Sequence, residues 1–339
     1  MSAAAHPFEA FDSSEPGVPG GSDLPSDPVE PSDSADPFLH PALFYEDERE
    51  YVAGTVSFVR AGLAAGDPVA VAVPGENLRL IQDELGDAAD GVRWLDMREA
   101  GRNPGRIIPG VLRAFADAQP AGRRARIIGE PIWAGRTETE YPACVQHEAL
   151  INAAFRGRTV SILCPYDTRR LDPRVIADAH ATHPTLVLSS GLEQDSTAYD
   201  PADVVARYNE PLPPVTDALS LSYDAESLSR ARHIATDEGA RLGLAGTRLQ
   251  DLTLVTAELT TNSVVHGGGS GTLRVWAEDG YVLCEVRDKG RLADLLAGRR
   301  PPARDQRGGR GLLLVNLVTD LVRVHTDEDG TTVRCWFAR

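Results

Sequence analysis

Glu258-Leu259-Thr260-Thr261-Asn262-Ser263-Val264-Val265-His266 stands near the C-terminus of the chain and combines polar and apolar residues at helical spacing. Glu258, Asn262 and His266 are four residues apart, so a helix of 3.6 residues per turn places them along one side. The opposite side is predicted to be buried and covered by the apolar residues Leu254, Val255, Leu259, Val264 and Val265. A carboxylate, an amide and an imidazole along one side of an otherwise apolar helix predict a binding partner.

These three side chains suit a nucleotide that carries a magnesium ion. The amide oxygen of Asn262 is a hard ligand, and Mg2+ combines few protein ligands with phosphate oxygens and water. Glu258, one turn earlier, is placed to accept a proton from a hydroxyl group or water that approaches the terminal phosphate. The segment therefore predicts a magnesium nucleotide site.

Two glycine-containing segments follow this helix. The first is Asp288-Lys289-Gly290, and the second, Gly308-Gly309-Arg310-Gly311-Leu312, runs into an apolar helical pattern. Free N–H groups at the start of such a helix favour phosphate binding. Glycine clusters also form ordinary loops, but here strand-like residues 272–276 and 281–286 stand between the polar helix and the glycine cluster.

The three segments in this order resemble the GHKL family, the Bergerat-fold ATPases that include histidine kinases, Hsp90, gyrase B and MutL. The similarity covers residues 218–339, and within the family it is greatest to the small anti-sigma factor serine kinases of the RsbW type. The resemblance implies a Bergerat α/β sandwich in which ATP lies between a mixed sheet and its helices.

The resemblance also implies roles for individual residues. Glu258 would be the general base, Asn262 the Mg2+ ligand and Asp288 the acceptor of the adenine amino group. The other implied nucleotide-binding residues are His266, Gly290, Gly309, Arg310, Gly311, Leu312 and Thr331. The family's adenine box often has a second glycine, which Leu292 replaces here. Residues 291–307 would form a lid, and their Arg, Ala and Pro content predicts mobility without ligand.

Residues 38–190 show a different pattern, in which short apolar runs alternate with helical periods. Such continuous runs are typical of parallel strands buried on both faces, and they occur at residues 68–74, 126–129 and 159–164. Helices are predicted over residues 48–65, 76–86, 105–118 and 140–156. This alternation predicts a doubly wound α/β domain, whose ligands bind beyond the carboxyl ends of the strands.

Polar residues cluster near the ends of these strands. With His40, Phe44-Tyr45 and the helical residues 148–152, they resemble the MEDS sensory domain of methanogen and methylotroph regulators of the DcmR type. That resemblance implies a signal-receiving module on a scaffold related to P-loop ATPases. The P-loop motif GxxxxGK[ST] is missing, because Pro74-Gly75-Glu76-Asn77-Leu78 follows the first predicted strand, so no ATP hydrolysis is expected in this domain.

A small-molecule pocket in the front domain is predicted to be lined by Glu130, Trp133, Tyr166, Asp167 and His183. The two aromatic residues equally suit core positions, and the aspartate equally suits a turn or a helix cap. A metal site is a further alternative, although its candidate ligands show no tight spacing along the sequence: His40, His147 and His183 with nearby carboxylates.

Charge restricts the classes of partner. The formal net charge is -16 at pH 7, which disfavours direct binding to nucleic acid or to an anionic membrane surface. Residues 1–37 contain eight Asp or Glu and no Lys or Arg, and they are predicted to be a disordered, solubilising tail. Residues 191–217, which include Glu210-Pro211-Leu212-Pro213-Pro214, are predicted to be a linker.

The chain shows no sign of export. It has no apolar stretch long enough to span a bilayer and no secretory signal at its N-terminus, so a cytoplasmic protein is expected. The cysteines follow neither a disulfide nor a CxxC metal pattern, and reduced, mostly buried thiols are expected for all four: Cys144, Cys164, Cys284 and Cys335.

Together the two resemblances predict a signal-transduction regulator in which the sensory domain controls an anti-sigma factor. In the related family such a protein binds a sigma factor and uses MgATP to phosphorylate Ser or Thr on an antagonist protein, and dimerisation through the sheet edge is common. Two alternatives remain. One is a module that sequesters a sigma factor without catalysis; the other is a sensor histidine kinase, which needs a phosphoacceptor histidine on a long dimerising hairpin.

Overall fold

The computed structural model describes residues 36–120, 122–188, 190–301 and 309–339. Nearly all of the predicted acidic tail, together with Gly308 and residues 302–307 of the predicted lid, lies outside these ranges. Within them, no helix combines the length and the apolar character needed to cross a membrane. Residues 36–339 form one compact unit that contains two sheets.

The front sheet has seven strands in the spatial order β3-β2-β4-β5-β1-β6-β7. Neighbours pair in parallel, except that β7 runs antiparallel to β6. The strands are β1 (Pro41–Tyr45), β2 (Val69–Val73), β3 (Val92–Asp96), β4 (Ala125–Gly129), β5 (Val160–Asp167), β6 (Thr185–Val187) and β7 (Glu193–Asp195).

Helices cover both faces of this sheet. Ala70 and Ala72 of β2 belong to one apolar cluster, whereas Val69, Val71 and Val73 belong to another on the opposite face. Strands buried on both faces account for the continuous apolar runs in the sequence. The helices are α1 (Glu48–Ala64), α2 (Gly75–Leu85), α3 (Met97–Ala100), α4 (Ala114–Asp117), α5 (Tyr141–Phe155), α6 (Pro173–Thr182) and α7 (Pro201–Arg207).

The helix predicted over residues 105–118 is interrupted. The chain forms a 3₁₀ turn at Pro104–Arg106, a π-helical segment at Ile108–Arg113 and then α4. Pro109 has no N–H to donate and its ring crowds the preceding turn, so a regular α-helix cannot pass through this position undisturbed. A further 3₁₀ segment, Gly86–Gly91, follows α2.

The stretch predicted as a linker contains β7 and α7. Val204 of α7 is fully buried in the front core, and Arg207 pairs with the buried Asp178 at 2.9 Å. Asn209, two residues later, already contacts the second sheet, because its side chain donates to the carbonyl of Thr326 at 2.8 Å and accepts from the N–H of the same residue. Residues 191–207 therefore add to the front sheet and its helices.

The back sheet has five strands in the order β11-β12-β10-β9-β8. Every neighbouring pair among its described strands is antiparallel, whereas the family resemblance implies a mixed sheet. One face packs against three helices in a single apolar cluster. In chain order the elements are β8 (Leu219–Asp224), α8 (Leu228–Arg241), α9 (Gly246–His266), β9 (Ser270–Glu278), β10 (Tyr281–Asp288), α10 (Gly311–Val318), β11 (Leu321–Asp327) and β12 (Gly330–Ala338).

Buried polar contacts join the two halves next to α10. The side chain of Asn103, which is fully buried, donates to the carbonyl of Asn316 at 2.9 Å and to Thr319 Oγ1 at 3.0 Å. Arg102 pairs with Asp320 at 2.7 Å at the same junction. The 3₁₀ turn of the front domain therefore rests against the C-terminal end of α10.

Candidate functional site

The polar stripe of α9 borders the buried face of the helix. Leu254 and Val265, predicted to be buried, are exposed by 36% and 64%, and threonine and serine complete the buried face instead. Successive residues turn by about 100°, so all three polar residues lie within about 60° of Val255 around the axis. The prediction that the buried side of α9 lies opposite the polar residues was therefore wrong, because the two sides are adjacent. The buried residues of α9 are Leu252, Val255, Thr256, Leu259, Thr260 and Ser263.

A cavity of about 1400 Å³ lies beside this stripe, between α9, α10 and the strands β10 and β12. The described residues around it include every residue that the sequence assigned to nucleotide binding. They are Glu258, Asn262, His266, Asp288, Gly290, Gly309, Arg310, Gly311, Leu312 and Thr331. Residues from three separate segments therefore share one cavity.

One end of the cavity is organised around Asp288. Its carboxylate accepts hydrogen bonds from Ser263 Oγ at 2.6 Å and from the Gly290 N–H at 2.8 Å. A Cβ atom at Gly267 would approach this carboxylate to 2.6 Å or less, so glycine is required where α9 ends. These contacts hold the Asp288 side chain in one orientation, as expected of a group that must recognise a fixed hydrogen-bond donor.

Thr331 supports the same end from the neighbouring strand. It pairs with Asp288 across β10 and β12. Its hydroxyl donates to the carbonyl of Gly290 at 2.7 Å and accepts from the N–H of Leu292 at 3.2 Å. Leu292, which replaces the second glycine of the family box, is thus held by backbone contacts to this threonine.

The other end of the cavity is formed by the start of α10. This helix begins at Gly311, and no side chain caps its first turn. A Cβ atom at Gly311 would lie 2.6 Å from Glu258 Oε2 and 3.3 Å from Asn262 Nδ2. Free N–H groups of a helix N-terminus attract phosphate, and here they face a carboxylate and an amide.

These residues fit a magnesium nucleotide. Asp288 supplies a hydrogen-bond acceptor at one end, which suits an exocyclic amino group. Asn262 supplies a side-chain amide at the other end, where the glycine backbone of α10 leaves room for phosphate oxygens, and an amide oxygen is a ligand that Mg2+ accepts. The donor types and the space left by the glycines agree with one occupant that spans the cavity.

A second cavity, of about 520 Å³, lies at the carboxyl ends of the front strands. Glu130, Trp133 and Asp167, which the sequence assigned to a front pocket, line it together with Asn77 and Arg170, which the sequence did not single out. Both missed residues follow closely after strand ends, at residues 74–78 and 165–170, so their position was the available signal. The cavity occupies the edge where doubly wound folds bind ligands.

Tyr166 and His183 lie away from this cavity. Tyr166 is 1% exposed and packs in the core against the His183 ring, with ring centroids 5.5 Å apart. Neighbouring residues of a strand point to opposite faces, so Tyr166 and Asp167 cannot both face the strand-end cavity. His183 lies on the buried side with Tyr166.

Glu130 is the fully buried acid of the front cavity. It accepts hydrogen bonds from Tyr51 at 3.1 Å and from Asn77 at 2.9 Å. Burial raises the pKa of Glu130 to about 8, although these two hydrogen bonds act in the opposite direction. The carboxyl group is therefore neutral in the folded protein at neutral pH.

The raised pKa of Glu130 predicts a pH dependence of stability. The unfolded chain loses the Glu130 proton near pH 4.5 and the native protein loses it near pH 8. The contribution of Glu130 to the free energy of unfolding is therefore complete at low pH, and it falls by about 1.4 kcal/mol per pH unit between those two values. Glu130→Gln is expected to remove this decrease in urea titrations from pH 5 to 8. The exposed control Glu138→Gln should retain it; an unchanged slope in Glu130→Gln would contradict the neutral carboxyl.

The back domain has the fold and the cavity of a nucleotide-binding signalling ATPase. Residues 221–337 match the family model of the histidine kinase-like ATPase domain. Residues 39–184 match the model of MEDS, the methanogen/methylotroph, DcmR sensory domain. No curated protein matches the chain. The chain thus joins a MEDS sensory domain to a histidine kinase-like ATPase domain, in the predicted order, and is a regulatory ATP-binding signalling protein.

Proposed function

We propose that this protein is an anti-sigma factor with Mg-ATP-dependent serine/threonine kinase activity toward an antagonist protein, under the control of its sensory domain. The approach of the Glu258 carboxylate to the start of α10 is the observation on which the kinase activity rests. It places a proton acceptor where the backbone favours phosphate.

Each side chain of the site has a task in this proposal. The N–H groups at Gly311 and after it bind the phosphates, and Asp288 orients the adenine. Asn262 would hold Mg2+, which would supply positive charge to neutralise the phosphates. Glu258 accepts the proton of the incoming serine or threonine hydroxyl, so that the oxygen attacks the terminal phosphate in line with the leaving group.

The structure offers little support for a sensor histidine kinase. Such an enzyme needs a phosphoacceptor histidine on a long helical hairpin. In the described chain between residues 191 and 227, the longest helix is α7, with seven residues. His233 lies on α8 of the ATPase domain, where its Nδ1 is 2.7 Å from the carbonyl oxygen of Ser229. It therefore belongs to the ATPase domain itself.

Leu292 keeps a non-catalytic alternative open. Its N–H is committed to the hydroxyls of Thr326 and Thr331, at the point where the family box commonly has a glycine. A protein that binds ATP only to set a conformation, and that sequesters a sigma factor in one of its states, would tolerate this change. Transfer of phosphate to a partner distinguishes the kinase from this binding module.

Two contacts support control of the ATP site by the sensory domain. Leu296 lines the nucleotide cavity and also belongs to the apolar core of the front domain. Asn316 of α10 donates to the carbonyl of Gly298 at 3.0 Å, while its own carbonyl accepts from Asn103 of the front domain. A shift of the front domain would thus reach both the segment over the nucleotide and the phosphate-binding helix.

Affinity capture from an extract of the source cells tests the partners. The tagged full-length protein is expected to retain a sigma factor and a small antagonist protein, and the nucleotide present is expected to change the ratio between them, since the two partners would compete for the regulator. Mass spectrometry of the eluted proteins identifies both. Recovery of neither class, whichever nucleotide is present, would contradict the anti-sigma assignment.

A further inference from the structure

Four buried polar side chains converge in the core of the front domain. They are His40, Glu148, Cys164 and His183, none is more than 1% exposed, and one ligand atom from each lies within 4.8 Å of every other. His40 precedes β1, Cys164 is in β5 and His183 precedes β6, while Glu148 projects from α5. Since β1 pairs with both β5 and β6, three adjacent strands bring these residues together.

The hydrogen bonds of the two histidines define which ring nitrogen is free. His40 Nδ1 is 3.1 Å from Asn152 Oδ1, and His183 Nδ1 is 2.9 Å from the carbonyl oxygen of Ala179. The amide of Asn152 is oriented by its own donation to the carbonyl of Thr182 at 2.8 Å. Both Nδ1 atoms therefore carry the proton, and both Nε2 lone pairs point into the cluster.

With both Nδ1 protons directed away from the centre, the Cys164 thiol is the one proton donor among the four side chains. Its Sγ lies near His40 Nε2 and leaves the Glu148 oxygens and His183 Nε2 unsatisfied. The Nε2 atoms of His40 and His183 lie 3.4 and 3.2 Å from Glu148 Oε2. Neither contact has hydrogen-bond geometry, and both Glu148 oxygens and His183 Nε2 are without a hydrogen-bond partner. A buried carboxylate next to nitrogen lone pairs is costly unless a positive charge lies between them.

Three of the separations between these ligand atoms match a tetrahedral metal site, and all of them are within 4.8 Å. Zinc binds nitrogen and oxygen at about 2.0–2.2 Å and sulfur at about 2.3 Å, which separates neighbouring ligand atoms by roughly 3.3–3.6 Å. The two Nε2–Oε2 distances are 3.2 and 3.4 Å, and Cys164 Sγ is 3.5 Å from His40 Nε2. A thiolate and a carboxylate would also balance the charge of one divalent cation.

We propose that His40, Glu148, Cys164 and His183 bind one Zn2+ ion in the core of the sensory domain. Two imidazoles, a thiolate and a carboxylate form a ligand set that suits zinc better than magnesium or calcium. Four protein ligands complete the tetrahedron, so the ion has a structural role and ties α5 to strands β5, β1 and β6. The site is separate from both the nucleotide cavity and the cavity at Glu130.

Metal analysis of the full-length protein tests this proposal. Protein purified after growth with added zinc is expected to contain one zinc per chain, and Cys164→Ser is expected to lose it. Cys144→Ser is the matched control, because Cys144 is a fully buried cysteine of the same domain outside the cluster. Folded wild-type protein without metal, or full zinc content in Cys164→Ser, would overturn the proposal.

Cobalt substitution decides the question even if the variants fail to fold. Wild-type protein loaded with Co2+ in place of Zn2+ is expected to show the visible bands of a tetrahedral ion together with a thiolate-to-cobalt charge-transfer band in the near ultraviolet. A spectrum without the thiolate band would place the metal elsewhere on the protein. Failure to take up cobalt or zinc would overturn the proposal, because it would show that the four side chains bind no metal ion.

Discussion

Glu258→Gln is expected to slow phosphate transfer to the antagonist by about 10²–10⁴-fold while leaving MgATP binding unchanged. Glutamine keeps the shape of the side chain next to Gly311 but cannot accept a proton from the serine or threonine hydroxyl. The loss should appear in kcat and not in the affinity for ATP. Single-turnover transfer of labelled phosphate, with ATP affinity measured in parallel by calorimetry, separates the two quantities.

Thr261→Ala is the matched control for Glu258→Gln. Thr261 is exposed on the same helix, three residues further on and outside the cavity. The Thr261→Ala variant should transfer phosphate at the wild-type rate. A wild-type rate in Glu258→Gln would remove this residue from the mechanism, and a joint loss of ATP binding would show that it holds the nucleotide instead.

Asn262→Ala is expected to abolish MgATP binding, a loss of affinity on the order of 100-fold or more. Alanine removes the amide oxygen assigned to Mg2+, and even residues that only support a metal ligand are worth 10- to about 100-fold. The comparison is made with and without magnesium in calorimetric titrations. With a chelator present, wild-type and variant proteins should bind ATP equally weakly.

This magnesium dependence distinguishes a lost ligand from a damaged fold. A variant with weaker binding in both conditions would indicate that the cavity itself had changed, which the melting temperature would also report. Unchanged MgATP affinity in Asn262→Ala would refute the assignment of this residue to the metal.

The polar stripe of the nucleotide cavity could be predicted from a local rule, whereas Asp288 and Thr331 were assigned through the family resemblance. A four-residue spacing places Glu258, Asn262 and His266 on one side of any helix. The burial of that side was harder to predict, since Thr256, Thr260 and Ser263 take core positions that an apolar pattern would assign to Leu254 or Val265. Thr260 and Ser263 achieve this by donating to the backbone carbonyls of the preceding turn.

Only part of the proposed zinc cluster could be predicted: the sequence named His40 and His183 as candidate metal ligands, but it assigned Cys164 only as a buried thiol, because the four ligands come from separate elements. His40 and Cys164 meet because β1 inserts between β5 and β6, and no local pattern reveals this strand order. His147, a candidate by composition, stays outside the cluster, whereas the adjacent Glu148 belongs to it. Neighbouring residues of a helix point in directions that differ by about 100°, so Glu148 can belong to the cluster while the adjacent His147 does not.

The position of the transferred phosphate tests the central claim most directly. The full-length protein is incubated with γ-labelled MgATP and the captured antagonist, and the products are treated with acid and analysed by mass spectrometry. We predict acid-stable phosphate on a serine or threonine of the antagonist, and none with Glu258→Gln. Acid-labile phosphate on a histidine of the protein itself, or no transfer despite tight MgATP binding, would contradict the kinase assignment.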